Sequence, residues 1–549
     1  MASSYSQKIF HYATNNKKNI IALLVILTFF IAFSIFSILQ YYSLGTSAYD
    51  LGVNAQELYS FLHTGSFYTP LLGENALAQH FTLFKFVQVP LYYIFPSPVT
   101  LMIFEDIFIT LAGYIVYLIS MNLLKDHIKS EKILFLVSIG FLLSYELSPF
   151  SQSLVSFPFH NMAFLPFFFL LAFYAFLTER RVLHIVSIVF IISLHANFVY
   201  IVAVLLLYEF LFLHTSRGKK INTWFLHDIN SRKIANFSLF ILVIVMLYGY
   251  LTITGIIKLH LAGITSTSIF PITGEVGAPA SSPIGLILIL FEKPGEFISF
   301  ISINHGEKAF FFNFLFESNL YLPLFSPMSL ILSIPYMLYA VPSSYGAYYQ
   351  LGYQYSAMVL GAIYISAIIG AYNLIRLGKY ICRHSKQLTL KSKKILSHKH
   401  EKTGIAIVSI LIVLVLVISL PYGILSPTEL EPTFNGGVMN DIHQEIPCGS
   451  ATFLINISEH LPKNSYILTE NTLMPYFSNN LHIYSSPYTP GYHNNLSKYQ
   501  YIIIQYNSLW ATLGGFYSLQ NIVDRELENG NYSVMENYQP GNIIVLQRG

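Results

Sequence analysis

Charge is what this sequence has least of. Only 10% of its 549 residues are Asp, Glu, Lys or Arg, against 54% hydrophobic, and a soluble fold of that length needs ionisable groups spread over its surface. The few charges are gathered into short clusters between long apolar runs, so the solvent this pattern expects is a bilayer. Cysteine is scarce as well. Cys382 and Cys448 are the whole supply, and they fall in segments assigned below to opposite sides of the membrane, which excludes a disulfide framework. No P-loop, dinucleotide fingerprint, cysteine-based zinc motif or nucleophile elbow occurs. Nucleotide-cofactor chemistry therefore has no support, and no nucleic-acid partner is expected.

A crossing helix needs roughly 17–25 apolar residues. The runs 20–42, 99–124, 161–178, 236–257, 351–375 and 404–424 qualify, and a shorter one, 133–147, is bounded by Glu131 and Lys132 before it and Pro149 after it. The first run lacks a small-residue cleavage site and reads as a retained helix rather than a signal peptide. Basic clusters lie between the runs: Lys8/Lys17/Lys18, Lys125/Lys129/Lys132, Arg180/Arg181 with Arg217 to Lys233, and Arg376 to Lys402. The positive-inside rule places all of them in the cytoplasm. Parity then requires 182–213 to cross twice, with its break at His195-Ala196-Asn197. It also requires an even number of crossings in 258–350, best met by a hairpin of 308–322 and 326–342 turned at Pro323 and Pro327. The expected fold is an α-helical polytopic membrane protein of about eleven transmembrane helices in the plasma membrane, amino terminus cytoplasmic and carboxyl terminus outside.

Residues 425–549 carry ten acids and four basic residues, the reverse of the nine basic residues and one acid in 376–402. Their periodicity also changes. A helical stretch at 451–461 precedes strand-like runs at 466–469 and 499–505, an amphipathic helix at 518–529 ending at Gly530, and a terminal hairpin. The chain thus divides into a transmembrane bundle, 1–424, and a small extracytoplasmic α/β domain, 425–549. Within the bundle, 43–98 is a structured first external loop and 376–402 a cytoplasmic basic tract.

An ionisable group in a membrane segment is costly, so each is a functional candidate. On the expected topology Glu105 and Asp106 lie in the outer third of the second helix, Glu146 at the outer end of the third, His160 at the outer start of the fourth and His195 at the tip of the short hairpin. Asp50, Glu57 and His80 stand in the first external loop, where Asp50, Asn54 and Glu57 share one face of a helix ending near Gly65. Leu51, Ala55, Leu58 and Leu62 make the other face, a pattern that fits a helix lying in the membrane interface. The plainer readings are a helix N-cap for Asp50 and buried, hydrogen-bonded structural roles for the two histidines. Tyr353, Gln354 and Tyr355, among the tyrosines crowding the start of the run 351–375, read either as an interface belt or as a sugar platform.

The blocks YDLGVNAQELYSFLHTGSFY, QHFTLFKFVQVPLYYIFPSPVTLMIFEDIF and FHNMAFLPFFFLLAFYAF, followed by LYLPLFSPMSLILSIPYMLYAVPS, YQYSAMVLGAIYISAIIGAYNL and IPCGSATFLINISEHLPKNSYILTENTLMPYFSNNLHIYSSP, resemble one prokaryotic membrane-protein family over most of the chain. That family is catalogued as domain of unknown function 2079. It resembles in turn the C-type glycosyltransferase fold, whose members carry an acidic residue just after the first transmembrane helix and take a sugar from a polyprenyl-phosphate carrier at the outer leaflet. The matching residue here is Asp50. Where a Lys-Glu-Asp-like turn is expected between two short helices, this chain reads His195-Ala196-Asn197.

The resemblance implies an inverting transferase that uses a polyprenyl-phosphate-linked sugar and a glycan, lipid or protein acceptor, with Asp50 as general base. Lys85, Lys258 or His260 would meet the phosphate, or a divalent metal (Mg or Mn) would bridge it to Asp50. The competing classes are a transporter or flippase of a lipid-linked molecule and a non-catalytic receptor with an external binding domain. A transporter should show polar groups near the midplane and an internal helix repeat, and the sequence displays neither.

Overall fold

The computed structural model describes residues 2–79, 81–213, 238–247, 283–384, 396–425, 448–493, 496–515 and 518–549. Expectations that concern His80, Lys258, His260 and the basic residues from Arg217 to Lys233 lie outside the described residues.

Most of the chain is helical. Four stretches are long and apolar enough to cross a membrane. These are Lys17–Tyr42 within α1 (Ala2–Tyr42), α4 (Pro98–Leu124), Gln354–Ile381 and Lys402–Tyr422. A further pair, α5 (Glu131–Glu146) and α6 (Pro149–Ser156), is bent by 42°. The bend follows from local sequence: Ser148 caps α6 by accepting from Phe150 N, and Pro149 has no N–H to continue α5. Other apolar helices are shorter, including α7 (Leu165–Leu177), α8 (Arg181–Leu194) and α9 (Val199–Leu213). The expected break in 182–213 falls where α8 stops and a 3-10 turn, Ala196–Phe198, leads into α9. About eleven transmembrane helices were expected, some of them short, and the described residues hold four long apolar helices, the bent pair and several shorter ones.

The expected hairpin of 308–322 and 326–342 is not two straight helices. An α-helix covers only His305–Glu317, followed by 3-10 turns at Leu322–Phe325 and Ser329–Ser333 and a short helix, Ile334–Ala340. Pro323, Pro327 and Pro335 each remove a backbone donor, which stops helix propagation.

After α1 the chain makes a π-helical turn, Ala48–Gly52, that runs into α2 (Val53–Thr64); Gly65, in the left-handed region at φ 73°, ends α2. α3 (Lys85–Ile94) follows. The reading of α2 as an interfacial helix is overturned, because every residue from Val53 to Ser60 is buried. The π-turn and α3 pack against it, and the carboxyl-terminal region reaches it through Gln56.

There a helix, Cys448–His460, precedes strands β1 (Ile467–Glu470), β2 (Ile483–Ser486), β3 (Tyr501–Gln505), β4 (Tyr532–Tyr538) and β5 (Ile543–Arg548). They form one sheet ordered β2-β1-β3-β5-β4, with β1 parallel to β2 and β3, and β5 antiparallel to β3 and β4. The sheet sits on the first loop through specific bonds. Ala48 N donates to Asn471 Oδ1 (2.8 Å), Tyr92 Oη to Asn479 Oδ1 (2.7 Å), Gln56 Nε2 to the Asn480 carbonyl (3.3 Å), and the Tyr476 hydroxyl to the Tyr41 carbonyl. Gly52 allows a close approach here, since a Cβ would press on the Met474 thioether. Leu51 and Leu58 of the loop share one continuous core with Met474 and Ile483 of the sheet region.

Candidate functional site

The π-turn, α2, the start of α3, the turn after His160 and the end of α8 enclose a cavity of about 50 Å³, room for a few waters at ~10–15 Å³ each. Its lining includes Tyr49, Asp50, Asn54, Glu57, Lys85, His160, Asn161 and His195. Residues scattered over nearly 150 positions thus face one space, as the shared depth of the helix ends implied.

Asp50 lies inside the π-turn, so it does not cap α2, whose N-cap position is Gly52. Part of the residue reaches the surface, while its carboxyl sits at depth. Burial pushes its pKa from the ordinary 3.8 up to about 7, and a hydrogen bond with Ser47 pulls the other way. Glu57 is also raised, first by burial, with Lys85 opposing. The Lys85 ammonium is 2.6 Å from Glu57 Oε2 and 2.5 Å from Asn54 Oδ1, and the two ion-pair side chains are 4% and 3% exposed. Asn161 Nδ2 donates to the same Asn54 oxygen (3.2 Å), and Gln88 Nε2 donates to Asn161 Oδ1 (2.6 Å). The network fixes Lys85 on one wall with its charge balanced.

The two histidines are held alike. His160 Nδ1 accepts from Met162 N and His195 Nδ1 from Asn197 N, each at 3.1 Å, which places the ring proton on Nε2. Glu105 does not line the cavity; its Oε1 accepts from His160 N (2.9 Å) and so holds the turn that carries the imidazole. Asp106, one residue and about 100° further round α4, lies beside Ser34 and Ser37 of α1 and takes no part. Tyr353, Gln354 and Tyr355 also stand outside the lining. Tyr353 packs 6.1 Å from Phe157, which is 6.4 Å from His160; Gln354 is buried; Tyr355 lies 4.3 Å from Tyr348.

Among the described residues no three His, Cys, Asp or Glu side chains gather as metal ligands. Glu57 is taken by Lys85 and Asp50 is hydrogen-bonded to Ser47, so Asp50 is the carboxylate of this lining that could bridge a phosphate-bound Mg or Mn. Sequence reasoning missed Tyr49 and Asn161 as lining residues. Each stands next in the chain to a residue that it did select, Asp50 and His160.

No functionally curated protein matches the chain in sequence. Among solved structures it is similar to ArnT from Cupriavidus metallidurans bound to undecaprenyl phosphate, at TM-score 0.44 and 11% identity, covering 95% of this chain and 97% of that one. It is similar to the apo state of the same protein at TM-score 0.44 and 11% identity, covering 96% and 98%. The Archaeoglobus fulgidus oligosaccharyltransferase tethered with an acceptor peptide gives TM-score 0.38 and 13% identity, over 87% of this chain and 68% of that one. The family model described as predicted membrane protein, DUF2079, matches residues 40–544, and the chain belongs to that family.

Proposed function

We propose that this protein is a membrane glycosyltransferase that moves a sugar from a polyprenyl-phosphate donor to an acceptor hydroxyl at the outer face, with inversion. The observation that carries the reading is Asp50, a carboxyl with pKa about 7, set in a cavity that also presents an ammonium and two imidazoles with protonated Nε2. A general base works best when its pKa is near the working pH. Asp50 takes the acceptor proton as the acceptor oxygen forms its bond to the anomeric carbon. The bond from that carbon to the phosphate oxygen breaks, and the electron pair leaves with the phosphate. His160 Nε2–H, His195 Nε2–H and Lys85 supply hydrogen bonds to the oxygen that gains charge. The proton on Asp50 is then lost to water.

The test is transfer of labelled sugar from a polyprenyl-phosphate donor by membranes holding the wild type or Asp50→Asn. The substitution keeps shape and removes the base, and loss of a general base costs about 10²- to 10⁴-fold in rate. Equal transfer by the two proteins would remove Asp50 from the mechanism. Absence of wild-type transfer over a broad panel of donors and acceptors would favour the receptor or transporter readings. The wild-type rate should also fall about tenfold per pH unit below 7 as Asp50 protonates; a rate flat from pH 5 to 8 would contradict its role.

A further inference from the structure

Three turns of the carboxyl-terminal sheet converge on the mouth of the Asp50 cavity, and each follows the carboxyl end of a parallel strand. After β1 comes Asn471, bonded to Ala48 N at 2.8 Å. After β2 comes Tyr488, whose ring centroid is 5.3 Å from that of Tyr49, itself part of the cavity lining. After β3 comes the short helix Leu509–Thr512, which carries Trp510, 6.2 Å from Tyr488. In open α/β sheets ligands occupy the crevice outside the carboxyl ends of the parallel strands, where the strand order reverses. Here β1 has β2 on one side and β3 on the other, and that crevice faces Asp50. The Tyr488 hydroxyl is within electrostatic reach of Asp50 and Tyr345.

The three rings are partly exposed. Tyr49 is 36% exposed, Tyr488 and Trp510 are partly exposed, and the interplanar angles of 46° and 43° exclude face-to-face stacking. Trp510 is held firmly, because Ser508 accepts from Ala511 N (3.0 Å) and donates to Glu470 Oε2 (2.5 Å) at the end of β1. Apolar ring faces rimmed by phenol and indole donors match a ligand with C–H faces and a hydroxyl edge. The geometry points to Tyr49, Tyr488 and Trp510 as a platform for the carbohydrate part of an acceptor, held over the Asp50 cavity. It deepens the transferase reading and rests on it for the word acceptor.

The sequence contains two tryptophans, so Trp224→Phe leaves Trp510 as the sole indole. The full-length protein with that substitution, in lipid nanodiscs, is titrated with chitotriose, mannotriose and maltotriose. The expected result is a saturable change in Trp510 emission with at least one of them, about tenfold weaker when Tyr488→Ala is added and restored in Tyr488→Phe. No response to any of the three, or equal affinity in Tyr488→Ala, overturns the platform. Quenching of Trp510 by brominated lipid overturns it too, since Leu509 beside it is 68% exposed and the indole would then sit in the bilayer. Glycan binding without sugar transfer leaves the platform standing and the transferase reading fallen; transfer with an unresponsive Trp510 does the reverse.

Discussion

Helix α8 joins two polar clusters with similar ingredients. Just past its end, His195 faces the cavity with Asp50, Glu57 and Lys85. Near its start, His184 Nε2 lies 3.1 Å from Glu209 Oε2 of α9, and Ser238 Oγ donates to the same carboxylate at 2.7 Å. His184 and Glu209 are 0% exposed. The two histidines are about 16 Å apart along the axis at 1.5 Å per residue. The difference is access. One cluster spends its hydrogen bonds tying three helices together, and the other keeps a titrating carboxyl beside a space that a substrate group can enter. Ionisable residues in an apolar bundle therefore divide by whether they border a space that a ligand group can reach.

The comparison breaks most visibly at Asp50. Beyond the loss of transfer in Asp50→Asn, the variant should be no less stable than the wild type at pH 8. The folded-state pKa is raised from 3.8 to about 7, so this group's contribution to stability is greatest below the unfolded value and declines as pH rises through 7. Asparagine escapes that penalty, and a clear fall in thermal midpoint at pH 8 would mean that Asp50 is structural. Next in size is Glu57→Gln, which leaves the Lys85 ammonium buried without its counter-charge, a change that costs about 3–5 kcal/mol. Thermal unfolding in detergent checks it; an unchanged midpoint would show that water reaches Lys85. Glu209→Ala should cost about 1–3 kcal/mol for each donor left unsatisfied at His184 and Ser238, with transfer per folded molecule preserved. Transfer that falls further than the folded fraction would move the closed cluster into the mechanism. Finally, the two clusters should lie toward opposite faces of the membrane. Single cysteines placed in 448–549 should be labelled from outside and those in 376–384 protected, and the opposite pattern would invert the topology.

The sequence made the gathering of Asp50, His160 and His195 legible, because charge asymmetry alone sets which helix ends share a depth. It did not separate Glu105 from Asp106, since adjacent carboxylates on a helix differ only in azimuth, and azimuth depends on neighbours. Nor did it show that Lys85 pairs with Glu57, 28 residues away in the same loop, a pairing that no periodicity encodes. In the tail, the helix near 451–461, two strands, the amphipathic helix and the terminal hairpin were all visible. β2 was not, because half of its four residues, Ser485 and Ser486, are polar, so it forms no apolar run of its own. The burial of α2 escaped notice for the same reason of distance: Ala48 N meets Asn471 across 423 positions.

That separation has a consequence for biosynthesis. The bond to Ala48 N, the Met474 contact against Gly52 and the Tyr488 ring beside Tyr49 all come from residues that leave the ribosome after nearly the entire bundle has been inserted. A nascent chain stopped before residue 448 would hold Asp50, Lys85 and both histidines in a floor without a roof. The loop that carries Asp50 would gain its contacts with Asn471, Met474 and Tyr488 only as the last stretch of the chain folds against it.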